Sequence, residues 1–214
     1  MQIGILGTGD VGRTLGAAFI TLGHDVRLGS RSATNDKARN WAQQVGPRGS
    51  TGTFGDAVAF GDIVVLATLG TATEDAIRLA GPQRFAGKVV IDATNPLEHR
   101  PNAPPELAIG FRDSLGERVQ RLLPDAKVVK AFNTVGNTHM FRPQFRGGPP
   151  DMFICGNDDG AKRTVTEFLT AFGWGTVDIG DIQGARYLEP MCMAWVRYGL
   201  KSGTWNHAFK LLRR

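Results

Sequence analysis

The 214-residue chain has no apolar run approaching the ~20 residues that cross a bilayer, so no membrane span is expected. Only two cysteines occur, too few for a disulfide framework. Cys155 ends an apolar strand pattern and Cys192 sits in a helical one, so both read as packing residues rather than ligands or nucleophiles. No His/Cys/Asp/Glu grouping has metal-ligand spacing, and no metal is expected. Internal repeats and low-complexity tracts are absent. The apolar start is interrupted by Asp10 and Arg13 and reads as a strand rather than a signal peptide, which points to a cytoplasmic location. The net charge of +5 and a pI near 9.6 favour anionic small ligands. The basic residues are scattered and no nucleic-acid motif is present, so nucleic acid is not an expected partner.

The signatures of carbonyl reduction are also missing. Such a reaction needs a proton donor beside the hydride donor. There is no Tyr-x-x-x-Lys pair, since Tyr198 and Lys201 are only three apart. No Gly-x-x-x-Asn-x-x-Lys helix occurs either. Of the four histidines, His24 starts a strand, His207 lies in a C-terminal helical pattern, and His99 and His139 lie in loops near strand ends. His139 alone is a candidate proton donor, set against the reading of a polar surface histidine.

What is present begins at the first residues. Gln2 to Leu6 form an apolar strand that runs into Gly7-Thr8-Gly9-Asp10-Val11-Gly12 and then a helix with Val11, Leu15, Ala18, Phe19 and Leu22 on one face. In this spacing Gly7 allows the tight turn, Gly9 lets backbone approach a pyrophosphate, and Gly12 lets helix pack on strand. The helix N-terminus offers free N–H groups and partial positive charge. The competing reading is a tight turn without a ligand. At the end of the second strand, where an NAD site carries Asp or Glu on the ribose 2′-OH, this chain has Gly29-Ser30-Arg31-Ser32. A hydroxyl and a guanidinium fork there suit a 2′-phosphate, with Lys37 adding a point charge, so NADP(H) is favoured over NAD(H). Otherwise Arg31 and Lys37 are solvated loop charges.

Strands at 2–6, 24–28, 51–54, 62–67, 87–92, 127–131 and 151–155 alternate with helical patterns at 11–22, 36–45, 73–80, 114–123 and 159–172. This predicts an α/β protein with a Rossmann-type doubly wound parallel sheet. The Pro-rich stretch 95–110 and residues 142–150 read as irregular loops. A strand at 174–179 leads into a helical segment from 185 to 212, which Gly199 and Gly203 can divide. Residues 1–180 are expected to form the NADP-binding domain, with a core at 1–135 and added strands and a helix at 136–180. Residues 181–214 form a small helical appendage whose apolar face, Leu188, Met191, Trp195 and Tyr198 continued by Trp205, Phe209 and Leu212, either covers the sheet or makes a homodimer contact.

Ligands bind at the carboxyl ends of strands in such sheets. Those ends carry Thr68 and Leu69, Asn95, and Asn133, small or amide residues that can fix a nicotinamide or simply cap loops. They cannot act as strong acids or bases. A site of that kind suits hydride exchange with a flavin or deazaflavin ring, a small-molecule redox acceptor that takes the hydride itself. A non-catalytic NADPH-binding sensor and a small-carbonyl or imine reductase are the alternatives.

Taken together, Gly7-Thr-Gly9-x-x-Gly12, Leu22-Gly-His24, Gly29-Ser30-Arg31, the strand from Asp62, Val128-Val-Lys130-Ala-Phe132-Asn133-Thr134, Cys155-Gly156-Asn-Asp-Asp159, Asp178-Ile-Gly180 and Ala185-Arg186-x-x-Glu189 resemble the NADPH-dependent coenzyme F420 reductase family. The pattern is also similar to the cytosolic NADPH domain of six-transmembrane metalloreductases, which pass electrons through FAD. The resemblance implies an enzyme, an NADP-dependent oxidoreductase with F420, FMN or FAD as acceptor. It implies pyrophosphate binding by Thr8 to Val11, 2′-phosphate binding by Ser30, Arg31 and Lys37, and Thr68, Leu69, Asn95 and Asn133 near nicotinamide and acceptor. It implies a homodimer. The 94–112 loop, Thr94-Asn-Pro-Leu-Glu-His-Arg-Pro onward, departs from the archaeal F420 enzymes.

Overall fold

Continuous β-branched runs become the centre of one eight-stranded sheet in this computed structural model, which describes residues 1–101 and 103–213. Strand β1 (Gln2–Leu6) lies between β2 (Asp25–Ser30) and β4 (Ile63–Leu66), with β3 (Gly49–Thr53) at the edge beyond β2. On the other side follow β5 (Val89–Asp92), β8 (Lys127–Lys130), β9 (Asp151–Gly156) and β10 (Gly175–Asp178). The chain steps outward from β1 to β3 and then returns to β4. The carboxyl ends of β1 and β4 therefore flank the crevice where chain direction across the sheet switches.

Helices cover both faces, as strands buried on both sides require. Leu15 and Phe19 of α1 (Asp10–Thr21), Trp41 of α2 (Asp36–Val45) and Phe168 of α6 (Asp159–Ala171) fill one core layer. The opposite layer holds Val58 of α3 (Phe54–Phe60), Ile77 of α4 (Thr73–Ala80), Val119 of α5 (Leu115–Leu122) and Leu188 of α7 (Ala185–Ser202).

Four local features depart from expectation. Helix α3 has no counterpart in the sequence reading, because seven residues are too few for a visible 3.6-residue period. Its signal was the capping box, in which Thr53 Oγ1 accepts from the Asp56 N–H at 3.1 Å and the Asp56 carboxylate accepts from the Thr53 N–H at 2.9 Å. The sheet is parallel only as far as β8. Strand β9 runs antiparallel to β8, with Lys130 opposite Cys155, and β10 follows β9 in parallel. The 95–110 stretch is not wholly irregular, since β6 (Leu97–Glu98) pairs antiparallel with β7 (Glu106–Leu107).

The fourth departure is at the C-terminus. Gly203 takes a left-handed backbone (φ 68°) and ends α7, so Trp205, Phe209 and Leu212 do not continue its face. The tail doubles back instead. The Trp205 ring lies against Gly199, and the Phe209 carbonyl accepts from the Asp151 N–H at 2.9 Å beside the start of β9.

Candidate cofactor site

The glycine turn is dictated by crowding at two of its three glycines. Gly7 has φ +131°, and a Cβ there would lie 2.2 Å from the Ala67 carbonyl oxygen. A Cβ on Gly12 would lie 2.4 Å from the Gly7 carbonyl oxygen. Gly9 differs, because its Cβ would meet nothing within 4 Å. Packing does not explain it; an open backbone face does. Gly9 is the N-cap of α1 with no capping side chain, which leaves first-turn N–H groups free for an anion. Thr8 is half-buried, Val11 packs toward the core, and Asp10 is exposed and paired with Arg13. That pairing offsets the repulsion a bare carboxylate would bring to an anion site.

At the end of β2 the Ser30 hydroxyl donates to the Ser32 carbonyl at 2.5 Å and accepts from the Ser32 N–H at 3.2 Å. Its proton closes the turn that presents Arg31. Ser30 and Arg31 open on a cleft of about 320 Å³ shared with Thr53, Phe54 and Arg84. Arg84 brings a second guanidinium, anchored by a 3.3 Å hydrogen bond to the Gly55 carbonyl. Sequence reasoning missed it, because it lies in a short turn after α4 and reaches the cleft only through folding. Lys37 is not brought into this cleft. It lines a separate groove of about 490 Å³ with Asp10, Arg13 and Asn40.

The three strand ends carry a hydrogen-bonded amide set. Asn133 Nδ2 donates to Asn95 Oδ1 at 3.0 Å and to the Leu188 carbonyl at 2.8 Å, and Asn95 Nδ2 donates to the Asn133 carbonyl at 2.8 Å. Both amide protons of Asn133 are thus used. Its Oδ1 is buried without a partner. Thr73 Oγ1 bonds the Leu69 carbonyl at 3.2 Å, so Thr68 Oγ1 donates across its 2.9 Å contact with Thr73. Leu69 is 75% exposed. A Cβ on Gly70 would fall 1.8 Å from the Asn95 carbonyl oxygen, which shows how tightly the loops after β4 and β5 abut. Phe132, just before Asn133, is fully buried with φ +63°, a conformation that costs a non-glycine residue free energy and clusters at ligand sites.

Beneath this set lies a buried ionic triangle that sequence reasoning did not find. Lys130 Nζ is 2.7 Å from Asp92 Oδ2 and 2.9 Å from Glu189 Oε1, with all three side chains at most 1% exposed. Glu189 also accepts the N–H groups of Leu115 and Gly116 at 3.0 Å each, at the start of α5. Asp92 Oδ1 accepts from the Thr94 N–H at 3.0 Å and the Thr94 hydroxyl at 2.6 Å. Burial lowers the Lys130 pKa, but Asp92 and then Glu189 outweigh it and hold it above the ordinary lysine value. The strand-end Asp and Lys were visible in the sequence; Glu189 comes from nearly sixty residues further on. Burial pushes the Cys155 and Cys192 thiols up to about 12, which agrees with their reading as packing residues.

His139 stands in a short turn after β8. Its Nε2 lies 3.1 Å from Asn206 Oδ1 and its ring packs 5.0 Å from Phe145. A further groove of about 510 Å³, between Gln120, Lys127 and Asp158, opens where β8 begins and so lies away from the strand carboxyl ends. No group of His, Cys, Asp and Glu among the described residues could hold a metal ion. The residues present fit a phosphorylated dinucleotide: an open glycine backbone at a helix N-terminus, and two guanidiniums, Arg31 and Arg84, on the cleft beside the end of β2.

A family described as NADP oxidoreductase coenzyme F420-dependent matches residues 2–96. The chain is 27% identical over 211 residues to the F420-dependent NADP reductase of Methanocaldococcus jannaschii, covering 94% of this chain and 93% of that protein. It is 30% identical over 189 residues to metalloreductase STEAP3 of Rattus norvegicus, covering 88% of this chain and 36% of that protein, so it spans about a third of that relative. A crystal structure from Arthrobacter sp. FB24, provisionally named an F420-dependent NADP-reductase, superposes with a TM-score of 0.92 at 38% identity and covers 99% of both chains. An imine reductase of Streptomyces aurantiacus, 17% identical with a TM-score of 0.67 over 94% of this chain and 64% of that one, shares the fold.

Proposed function

The chain belongs to the coenzyme F420-dependent NADP oxidoreductase family, and from that premise we propose that it transfers hydride between NADPH and a flavin-like or deazaflavin (F420-type) ring. One observation carries the choice of acceptor. Asp92, Lys130 and Glu189, which share chain segments with the strand-end amides, are buried and committed to one another, so none of the three is free to deliver a proton. A ring that takes hydride into its own π-system needs no such donor.

When bound, NADPH supplies the hydride. The protein's part is binding and orientation. The first turn of α1 meets the pyrophosphate with unpaired N–H groups, and Arg31 with Arg84 meets the 2′-phosphate. Thr68, Leu69, Asn95 and Asn133 hold the nicotinamide end, where the exposed apolar side chain of Leu69 offers a surface for a second flat ring. Alignment of the two rings is then the main catalytic contribution.

The test follows NADPH oxidation with F420, FMN, FAD, quinones and small carbonyls or imines offered in parallel. Turnover with a flavin-like ring and none with carbonyls is expected. Turnover with carbonyls or imines alone would overturn the proposal and return attention to His139. Tight NADPH binding with no turnover on any acceptor would instead identify a sensor.

A cytoplasmic homodimer accompanies this reading. No helix among the described residues is long and apolar enough to cross a membrane. One side of α7 leaves Tyr187 and Tyr198 exposed, a surface suited to a second copy. The mass by light scattering at micromolar concentration is expected to be twice the 23.1 kDa of one chain. In this arrangement residues 1–180 serve as the NADP-binding domain and 181–214 as the contact segment.

A further inference from the structure

We infer that the tail after Gly203 and the 142–150 loop together form a docking surface for an anionic lipid bilayer. This goes beyond the oxidoreductase reading and does not depend on it. The carrying observation is how charge is distributed. From Pro190 onward the sequence has Arg197, Lys201, Lys210, Arg213 and Arg214, and not one Asp or Glu. Those five charges equal the whole net charge of +5. Residues 132–150 carry Arg142 and Arg146 and no acid either.

Folding joins the two stretches. Lys210 Nζ donates to the Gly147 and Pro149 carbonyls at 2.9 and 3.0 Å, and the Leu211 N–H donates to Asp151 Oδ2 at 2.8 Å. Arg142, Arg146, Lys210 and Arg213 are all exposed. Among the described residues none of these four makes an ion pair, whereas Arg48, Arg78, Arg118 and Arg121 elsewhere on the surface each do. Set against Asp151, the acid at the junction, the four leave a local charge of +3. Large apolar side chains stand among these charges: Leu212 is 83% exposed, Trp205 44% and Leu211 41%. Cations alone suit any polyanion. Cations interleaved with exposed leucines and a tryptophan suit a bilayer interface, where the charges meet phosphate headgroups and the apolar chains enter the acyl boundary. Base stacking is a poorer match, because the Trp205 ring is already packed on Gly199 and 5.1 Å from Trp195. A second copy presenting this same surface would set like charge against like.

The test is cosedimentation with vesicles of phosphatidylcholine alone and of phosphatidylcholine mixed equally with phosphatidylglycerol. The full chain is expected to bind the mixed vesicles at low salt, to release them as added salt screens the charges, and to ignore phosphatidylcholine alone. Each cation removed is expected to weaken partitioning about fivefold, so Arg146→Gln combined with Arg213→Gln weakens it about 25-fold. Leu212→Ser, which keeps every charge, is expected to weaken it by at least about threefold. All three positions are exposed, so both variants are expected to keep the wild-type melting temperature.

No binding to the mixed vesicles at low salt overturns the inference. So does binding that either variant leaves unchanged. Capture of the protein by polyglutamate or by a single-stranded oligonucleotide in the presence of excess mixed vesicles assigns the surface to an acidic protein or a nucleic acid, and equally overturns it.

Discussion

Lys130→Met is expected to lower the unfolding free energy by about 3–5 kcal/mol, because it leaves two carboxylates in the core without their counter-charge. For a chain of this size that corresponds to a fall of roughly 10 °C in melting temperature. The Lys130 side chain is fully buried, and its Nζ sits within 2.9 Å of both Asp92 and Glu189. The methionine chain, one heavy atom shorter, fills most of the same space, so the loss reports charge more than volume. In the wild-type protein Lys130 itself stays charged across the neutral range. Folding raises the Lys130 pKa, so its contribution is complete below the unfolded value of about 10.4 and is lost only as pH rises through the folded value. Replacing all three corners by apolar residues is expected to recover stability only in part, since Leu115 and Gly116 would still lose their acceptor. Thermal or urea unfolding of the single and triple variants checks this. A melting temperature unchanged in Lys130→Met would mean that the triangle does not stay charged in the folded protein.

Arg31→Ala is expected to raise the KM for NADPH by about 10- to 100-fold and to leave that for NADH within about threefold. A guanidinium facing a phosphate makes charge-assisted, commonly bidentate hydrogen bonds that a ribose hydroxyl cannot replace. Arg31 is exposed, so the effect should shrink as salt is added. Arg84→Ala is expected to act in the same direction but less, because its guanidinium is partly engaged with the Gly55 carbonyl. Lys37→Ala should change little, as Lys37 opens on the groove along α1 and not on the Arg31 cleft. Steady-state kinetics with both cofactors decides the matter. Equal losses for NADPH and NADH in Arg31→Ala would sink the 2′-phosphate assignment.

The part of the protein legible in its sequence is the part governed by local rules. Strand β1, the glycine turn and α1 follow from apolar periodicity and from glycines where a Cβ would strike backbone at 2.2 and 2.4 Å. The central strands β4, β5 and β8 follow from their β-branched runs. The reversal of β9 was not legible, because an apolar pattern along a strand reads the same in either direction. The folded-back tail was equally hidden. Apolar residues at 205, 209 and 212 keep helical spacing, and only the left-handed Gly203 breaks the helix. In the candidate site, Arg31 and the strand-end amides were visible because ligand positions in open α/β sheets are set by topology. Arg84 and Glu189 were not, because their roles depend on contacts 29 and 59 residues away along the chain, with Gly55 and Lys130.

The placement of Leu188 and Glu189 in the last helix has a consequence for the order of assembly. The glycine turn and Arg31 emerge early in synthesis, and an N-terminal portion of a chain generally begins to fold as it appears. The corner supplied by Glu189 closes onto Leu115 and Gly116 across 74 and 73 residues, and the Leu188 carbonyl meets Asn133 across 55. A nascent chain can therefore form the glycine turn and present Arg31 well before the strand-end amides gain their last partner. The strand-end set is completed only when the final helix docks, so a chain cut short before Leu188 would leave the Asn133 amide and Lys130 each short of one partner.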